Sequence, residues 1–322
     1  MALLQRERES RISRARKDKT LDKDDDALGK GPKSPEQLVG KLVDLLDVEE
    51  IDTDLFRGPQ LPGGVGRVFG GQVIAQALMA ANRSVDSELI AHSLHAYFMR
   101  PGNENHPIIY RIERDRDGRS FSTRRIIALQ KGKPIFNMAA NFQRPEEGLS
   151  HQFEMPDVPP PEDLQSRIGW WKENIELVPE PHRKAVLRQR AIDFRPVEPM
   201  ELPPRKRPPH SASWFKTLAP LSDDIRMHQA ILAYASDSTL LGTATLPHGL
   251  HHISNPNLQM ASLDHGLWIH EEFRADEWLL YATDAPWTGH ARGFNRGQIF
   301  ARDGRLVASV AQEGLMRLRQ AR

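Results

Sequence analysis

The chain has 322 residues, enough for two domains of ordinary size, and 39% of them are hydrophobic, a normal share for a globular protein. Forty-four basic residues against 43 acidic ones leave a net charge of +1, so the composition gives no strong attraction for nucleic acid or an anionic membrane. No apolar stretch approaches the roughly 18 residues that a membrane-spanning helix needs. The absence of cysteine excludes a disulfide framework, a thiolate metal site and a cysteine nucleophile, and suits a reducing compartment.

Residues 1–35 mix Arg, Lys, Asp and Glu with few large apolar side chains. Such a segment cannot bury enough apolar surface to offset the entropy that is lost on ordering. We therefore predict a disordered, charged tail. Its acidic residues and its lack of an apolar core argue against a transit peptide and a signal peptide.

Residues 36–145 carry the pattern of a folded domain. Apolar side chains recur at helical spacing between 73 and 81, which predicts a helix that is apolar around most of its surface. Strand-like runs follow at 93–98, 119–127 and 134–142. A glycine turn separates the last two runs, so we expect them to pair as an antiparallel hairpin.

Residues 146–209 differ sharply in composition, because more than half of the 24 prolines lie between positions 145 and 209. Proline removes a backbone donor and interrupts regular elements. We therefore predict a long connection that contains one short helix near residues 170–176.

Residues 210–322 repeat the pattern of the first half. A second apolar helix is predicted at 227–236, and strand-like runs follow at 262–268, 292–300 and 306–316. An apolar helix followed by antiparallel strands, found twice, predicts an α+β fold in which each sheet wraps around a helix.

Seven stretches in both halves carry a family resemblance: FGGQVIAQAL, SLHAYFMRPG, GRSFSTRRIIALQKGKPIFNMAANFQ, AYASD, SLDHGLWIH, EWLLYATDAP and RGFNRGQIFARDGRLVASVAQEGLMR. The sequence closely resembles the type II acyl-CoA thioesterases from about residue 38 to 317, apart from the Pro-rich connection. The resemblance implies a double hotdog fold. It also implies hydrolysis of acyl-CoA to free fatty acid and coenzyme A, with no metal or organic cofactor.

In that family an Asp, a Ser or Thr and a Gln hold and activate the attacking water. Their motifs place these roles on Asp237, Ser262 and Gln312. Aligning the two halves of the sequence sets Met79 opposite Asp237 and Ala140 opposite Gln312, so the first half lacks both groups. A buried carboxylate is costly unless it is hydrogen-bonded or used, which favours a functional interpretation of Asp237.

Five further residues are predicted to bind substrate. Gly70 and Gly71 precede the first apolar helix, where free backbone N–H groups can stabilise an oxyanion, although close helix packing explains them equally well. His95 is a candidate for lining the groove. Arg119 and Arg292, like Arg100, are candidates for the coenzyme A phosphates, although arginines on strands are commonly just solvated.

Two other functions stay open at this point. An enoyl-CoA hydratase on the same scaffold is disfavoured because Asn255-Pro256 lacks the Asp and His of that motif. A catalytically silent acyl-CoA-binding module is disfavoured because all three water-activating positions are filled. The histidines at 248, 251 and 252 lack the spacing of a zinc site, so no metal is expected.

The expected partner is the acyl-CoA substrate, with no nucleic acid and no membrane, and the resemblance implies a homo-oligomer. Relatives are cytosolic in bacteria and often peroxisomal in eukaryotes. Because residues 320–322 do not match the Ser-Lys-Leu address, we expect a cytoplasmic protein, with the peroxisomal matrix as the alternative.

Overall fold

Five α-helices and thirteen β-strands form the regular structure of the described residues, 33–64 and 66–319 of a computed structural model. The helices are α1 (Pro35–Leu46), α2 (Gly70–Asn82), α3 (Arg167–Glu173), α4 (Glu180–Val186) and α5 (Ile225–Ser236). Within the described ranges, no helix is long and apolar enough to cross a membrane. Nearly all of the predicted tail, residues 1–35, lies outside the described residues.

The strands form one antiparallel sheet in the order β1-β2-β4-β5-β6-β3-β10-β13-β12-β11-β8-β7, and β9 pairs with β13. The strands of the first half are β1 (Glu49–Asp52), β2 (Leu55–Gly58), β3 (Ile90–Phe98), β4 (Ile108–Asp117), β5 (Phe121–Gln130) and β6 (Lys133–Gln143). Those of the second half are β7 (Ile192–Pro196), β8 (His210–Thr217), β9 (Leu258–Ser262), β10 (Asp264–Ile269), β11 (Leu279–Gly289), β12 (Arg292–Ala301) and β13 (Leu306–Leu318). Both halves therefore have the same strand order and meet where β3 pairs with β10. The predicted α+β architecture is confirmed.

Helix α2 is the buried centre of the first half, and every residue from Gly71 to Asn82 is buried. Side chains such as Ile74 and Leu78 are fully enclosed, and burying each one contributes about 1.5–3 kcal/mol. The amide of Gln76 donates to two backbone carbonyls and accepts from the hydroxyl of Tyr110. Because these bonds satisfy the amide, a polar residue is tolerated in the middle of the helix.

Helix α5 is the corresponding element of the second half and packs directly against α2. It begins after Asp224, whose side chain caps the helix by accepting from the N–H of Arg226. At the other end, a Cβ on Gly71 of α2 would lie 2.4 Å from the carbonyl oxygen of Tyr234. The absence of a side chain at Gly71 therefore lets the two helices approach closely.

The Pro-rich segment 146–209 contains more regular structure than the sequence predicted. The predicted short helix corresponds to α3, but α4 and β7 were not predicted. Strand β7 pairs with β8 at the outer edge of the sheet and ends at Pro196, because an edge position tolerates a missing backbone donor. The strands of the second half therefore begin inside this segment, before residue 210.

The pairing of β3 with β10 is compatible with the sequence alignment of the two halves. His95 of β3 pairs with Gly266 of β10, and the residues opposite them are Ala139 of β6 and Ala311 of β13. Matching the halves at this pair sets Ala140, the next residue of β6, opposite Gln312, as the sequence alignment does.

The ends of the helices give a different counterpart for the predicted carboxylate. Counted from the N-caps, Phe69 and Asp224, Asp237 stands opposite Asn82, whereas the sequence alignment, which matched the apolar runs, set it opposite Met79. Neither residue carries a carboxylate, so the first half lacks this group in either alignment.

A pair of glycine variants tests the packing around α5. Gly297 of β12 leaves room for the ring of Tyr281, whose hydroxyl donates to the carbonyl of Ser236, and a Cβ there would lie 2.3 Å from the ring. We expect Gly297→Ala to lower the free energy of unfolding by about 1–3 kcal/mol in urea denaturation. Gly40→Ala is the control, because nothing lies within 4 Å of the added Cβ in α1, and should raise stability by about 0.5–1 kcal/mol. An unchanged free energy of unfolding in Gly297→Ala would contradict the close packing of Tyr281 against Gly297.

Candidate active site

Asp237 lies where the C-terminus of α5 meets the N-terminus of α2. It is the C-cap residue of α5, and its carboxylate accepts from the backbone N–H of Gly71. A Cβ on Gly70 would lie 2.5 Å from Asp237 Oδ2, so only glycine leaves room for the carboxylate at this point. The negative end of its own helix disfavours a carboxylate here, but the positive end of α2 favours it.

Ser262 and Gln312 both donate to the same carboxylate oxygen. Ser262, at the end of β9, places its Oγ 3.1 Å from Asp237 Oδ1, and Gln312 of β13 places its Nε2 2.7 Å from that atom. Gln312 is fully buried, and its Oε1 has no hydrogen-bond partner among the described residues. The structure thus brings the three predicted catalytic residues together.

His265 of β10 completes this cluster. It is 1% exposed, its Nδ1 lies 3.1 Å from Gln312 Nε2, and its Nε2 lies 2.9 Å from the hydroxyl of Ser236. Burial lowers the pKa of His265 to about 3, so the ring is neutral at any pH at which the protein would work.

Burial also controls the charge of Asp237. Loss of solvent raises its pKa to about 6, and the hydrogen bonds from Gln312, Ser262 and the Gly71 backbone oppose this rise only in part. Near neutral pH the carboxylate is ionised but easily protonated. That property suits a group that accepts a proton from water and returns it.

The aromatic rings of Phe69, Phe98 and Tyr234 surround the two glycines. Phe98 Cζ would lie 3.0 Å from a Cβ at Gly70, and the rings of Phe69 and Tyr234 meet edge to face at 5.0 Å. The carboxylate therefore has an apolar border on the side of α2.

Three of the predicted substrate contacts lie away from this cluster. His95 is exposed on the outer face of the sheet and packs edge-on against Trp268, because Leu94 and Ala96 on either side of it point inward. His95 therefore does not contact Asp237, Ser262 or Gln312. Arg119 and Arg292 are exposed at two different places on the sheet.

Arg119 lies in the turn before β5, next to the start of β3, whereas Gly70 contacts Phe98 at the end of β3. The length of a strand therefore separates Arg119 from Asp237. Arg292 begins β12, lies 3.5 Å from a carboxylate oxygen of Glu313 and covers the ring of Trp287. Neither arginine contacts Asp237, Ser262 or Gln312.

The first half lacks this cluster at the matching helix end. Counted from the N-caps, Asn82 stands opposite Asp237. Both polar atoms of the Asn82 side chain are buried without a partner among the described residues. Among the described residues, a carboxylate that accepts from both a serine hydroxyl and a glutamine amide is found once, at Asp237.

The sequence did not reveal the roles of Gly71, Ser236 and His265. For Gly71 the sequence suggested an oxyanion contact or close helix packing, but its N–H donates to Asp237. His265 lies within the SLDHGLWIH stretch, which carried no role for it. Ser236 precedes Asp237 in the AYASD motif, and this adjacency was the one available signal for it.

Comparison with known proteins agrees with this geometry. The model of the acyl-CoA thioesterase family matches residues 188–315, and the model of the acyl-CoA thioesterase N-terminal domain matches residues 59–143. Acyl-coenzyme A thioesterase 8 of Homo sapiens is 40% identical over 284 residues, which cover 85% of this chain and 88% of the relative. Acyl-CoA thioesterase 2 of Haemophilus influenzae is 38% identical over 282 residues, which cover 87% of this chain and 98% of the relative.

A solved structure supports the same assignment. The acyl-CoA thioesterase II TesB2 from Mycobacterium marinum superposes with a TM-score of 0.71 at 39% identity, covering 89% of this chain and 99% of that one. The predicted double hotdog fold and the predicted enzyme class are both confirmed. The chain belongs to the acyl-CoA thioesterase family, whose members hydrolyse acyl-CoA thioesters.

Proposed function

We propose that this protein hydrolyses acyl-CoA with a single water molecule held between Asp237 and Gln312. The observation that carries the proposal is that the two polar atoms of the Gln312 amide differ in their hydrogen bonding. Its Nε2 donates to Asp237 Oδ1, while its buried Oε1 has no partner among the described residues. The same small region therefore offers a carboxylate and an amide oxygen, both of which accept hydrogen bonds.

Two acceptors are what an attacking water requires. If the two hydrogens of the water point at Asp237 and at Gln312 Oε1, an oxygen lone pair is left to face the thioester carbonyl. Ser262 donates its hydroxyl to Asp237 and fixes the carboxylate, and we assign it no direct contact with the water. Gln312 offers the water its amide oxygen as an acceptor.

In the reaction that we propose, Asp237 carries out both proton transfers. Asp237 takes a proton from the water as the oxygen bonds to the thioester carbon, and the carbonyl becomes a tetrahedral oxyanion. When the intermediate collapses, the carbon–sulfur bond breaks and the proton on Asp237 passes to the leaving thiolate. The products are free coenzyme A and a fatty acid.

The backbone N–H of Gly70 is the donor that we assign to the oxyanion. It lies at the first turn of α2, where N–H groups have no partner within the helix, and no backbone bond in the described residues uses it. The positive end of α2 supports the same role. Gly71, by contrast, is committed to Asp237.

The phosphates of coenzyme A require a cationic surface, and a cavity of about 310 Å³ near the site offers one. Arg100, His106, Lys131 and Lys133 line it, and no acidic residue does. The chain connects the cavity to the site directly. Phe98 flanks Gly70, and Arg100, which lines the cavity, follows two residues later. We therefore assign the phosphates to this cavity and not to Arg119 or Arg292.

We further propose one active site per chain, two hotdog halves joined by the Pro-rich segment, and a homo-oligomer. For the compartment we propose the cytoplasm, which a chain without cysteine suits, with the peroxisomal matrix as the alternative. A relative from Saccharomyces cerevisiae, named peroxisomal acyl-coenzyme A thioester hydrolase 1, is 25% identical. Imaging of the tagged chain distinguishes the two compartments.

Removing the groups that hold the water tests the proposal. Asp237→Asn and Gln312→Ala should each lower kcat for palmitoyl-CoA by about 100-fold or more, measured as release of free thiol. The double variant should lose little beyond either single variant, because both residues act on one water.

Asp284→Asn serves as the control, since Asp284 forms an exposed ion pair with Arg296 and should not affect the rate. Multiplicative losses in the double variant, or nearly normal turnover in a single variant, would contradict a shared water. Release of thiol by the wild-type protein also excludes a hydratase and a silent binding module.

The pKa of Asp237 predicts the pH dependence. Only the ionised carboxylate accepts a proton, so kcat/KM should reach half its plateau near pH 6, fall about tenfold per unit below that and stay level above. The residual activity of Asp237→Asn should lack this fall between pH 5 and pH 7. A wild-type profile that stays flat down to pH 4.5 would show that Asp237 is not the base.

The cationic cavity gives an independent prediction. The double substitution of Lys131→Ala and Lys133→Ala should raise KM for palmitoyl-CoA by about 3–10-fold and leave kcat within twofold. The effect should shrink at high salt, because exposed charges are screened. Lys184→Ala on the exposed helix α4 is the matched control. An unchanged KM would place the phosphates elsewhere without affecting the proposal for Asp237.

A further inference from the structure

We propose that His265 is a positioning residue that keeps the Gln312 amide oxygen directed at the attacking water throughout the reaction. The inference rests on the proposed function of Asp237 and Gln312, and it adds a role for a residue that contacts neither water nor substrate. Two hydrogen bonds, one on each ring nitrogen, carry it.

The hydrogen-bond chain determines the tautomer of His265. The hydroxyl of Ser236 lies 3.0 Å from the carbonyl oxygen of Ala233 and donates its one proton there. It can therefore only accept from His265 Nε2, which lies 2.9 Å away and must carry the ring proton. Because burial lowers the ring pKa to about 3, Nδ1 has no proton and acts as an acceptor.

An accepting Nδ1 determines the orientation of the Gln312 amide. Nδ1 lies 3.1 Å from Gln312 Nε2, and this amide nitrogen also donates to Asp237 Oδ1. Both amide hydrogens are thus in use. If the amide rotated by half a turn, Oε1 would face the lone pair of Nδ1, and the water would meet a donor where it needs an acceptor.

His265 matters most after the proton has moved. While Asp237 is ionised, the carboxylate alone holds Gln312 Nε2 toward itself. Once Asp237 has taken the proton from the water, a neutral carboxyl group can donate as well as accept, and its hold on the amide orientation weakens. Nδ1 of His265 remains an acceptor at this step. It therefore keeps the Gln312 amide in the same orientation while Asp237 is protonated.

His265 is not itself the base. Both ring nitrogens are engaged within the protein, and the low pKa prevents the ring from holding a proton near neutral pH. The C-terminus of α5 supports the arrangement, because Tyr281 donates to the carbonyl of Ser236 and fixes the residue that accepts from the ring.

Three variants distinguish positioning from a purely structural role. His265→Leu removes both ring contacts, and His265→Asn offers an amide oxygen close to the place of Nδ1. Ser236→Ala removes the group that fixes the tautomer. The control is His270→Leu, because His270 also bonds a serine hydroxyl, that of Ser309, but is exposed at the end of the sheet.

We expect His265→Leu to lower kcat for palmitoyl-CoA by about 10–100-fold with KM within threefold, since a misoriented catalytic group costs rate and not affinity. His265→Asn should recover at least part of this loss, and Ser236→Ala should lose less than His265→Leu. His270→Leu should match the wild type. Combining His265→Leu with Gln312→Ala should cost no more than Gln312→Ala alone.

A spectroscopic measurement tests the same idea without relying on turnover. In ¹⁵N NMR of the full chain, the His265 ring, assigned by its loss in His265→Asn, should show the Nε2–H tautomer and no titration between pH 5 and pH 8. A titrating ring or an Nδ1–H tautomer overturns the proposal, as does a full kcat in a folded His265→Leu variant. If Asp237→Asn also keeps full activity, the proposed function itself fails, so the two failures are distinguishable.

Discussion

The contact between the C-terminus of α5 and the N-terminus of α2 is the constraint on which the site depends. A carboxylate at the end of α5 is poorly placed in isolation, because the carbonyl groups of the last turn face it. The N–H groups at the start of α2 offset this unfavourable interaction, provided that the two helices approach closely. Gly70 and Gly71 permit that approach, since a side chain on either would occupy the space of the Asp237 carboxylate or of the Tyr234 carbonyl.

Placing Asp237 there has a cost in stability. Its pKa rises from 3.8 to about 6, so the folded protein binds a proton more tightly than the unfolded chain does. The free energy of unfolding therefore falls by roughly 1–2 kcal/mol, after allowance for partial solvation, as the pH rises from about 4 to about 6. Above that range it stays at the lower value. The hydrogen bonds from Ser262, Gln312 and Gly71 limit this cost without removing it. If Asp237 kept its ordinary pKa, the folded protein would be more stable, but the carboxylate would be a weaker base.

The sequence predicted most of the fold because each half repeats one strong local signal. The fully apolar helix and the alternating strands need no long-range information, and family motifs located Asp237, Ser262 and Gln312. The errors arose where long-range contacts decide the outcome. Strand β7 looks like connection in a Pro-rich segment, His95 and His265 look alike in their strands, and only the pairing register shows which of them faces inward.

The two halves also contain strand histidines that are bonded differently. Nε2 of His92 in β3 is buried without a partner in the described residues, and its ring meets Phe121 edge to face. Both ring nitrogens of His265 in β10 are bonded, one to the hydroxyl of Ser236 and the other to the amide of Gln312. The difference lies in the neighbouring side chains, because Ser236 and Gln312 present polar groups to the ring of His265. Through that ring they connect the C-terminus of α5 to the amide that contacts Asp237.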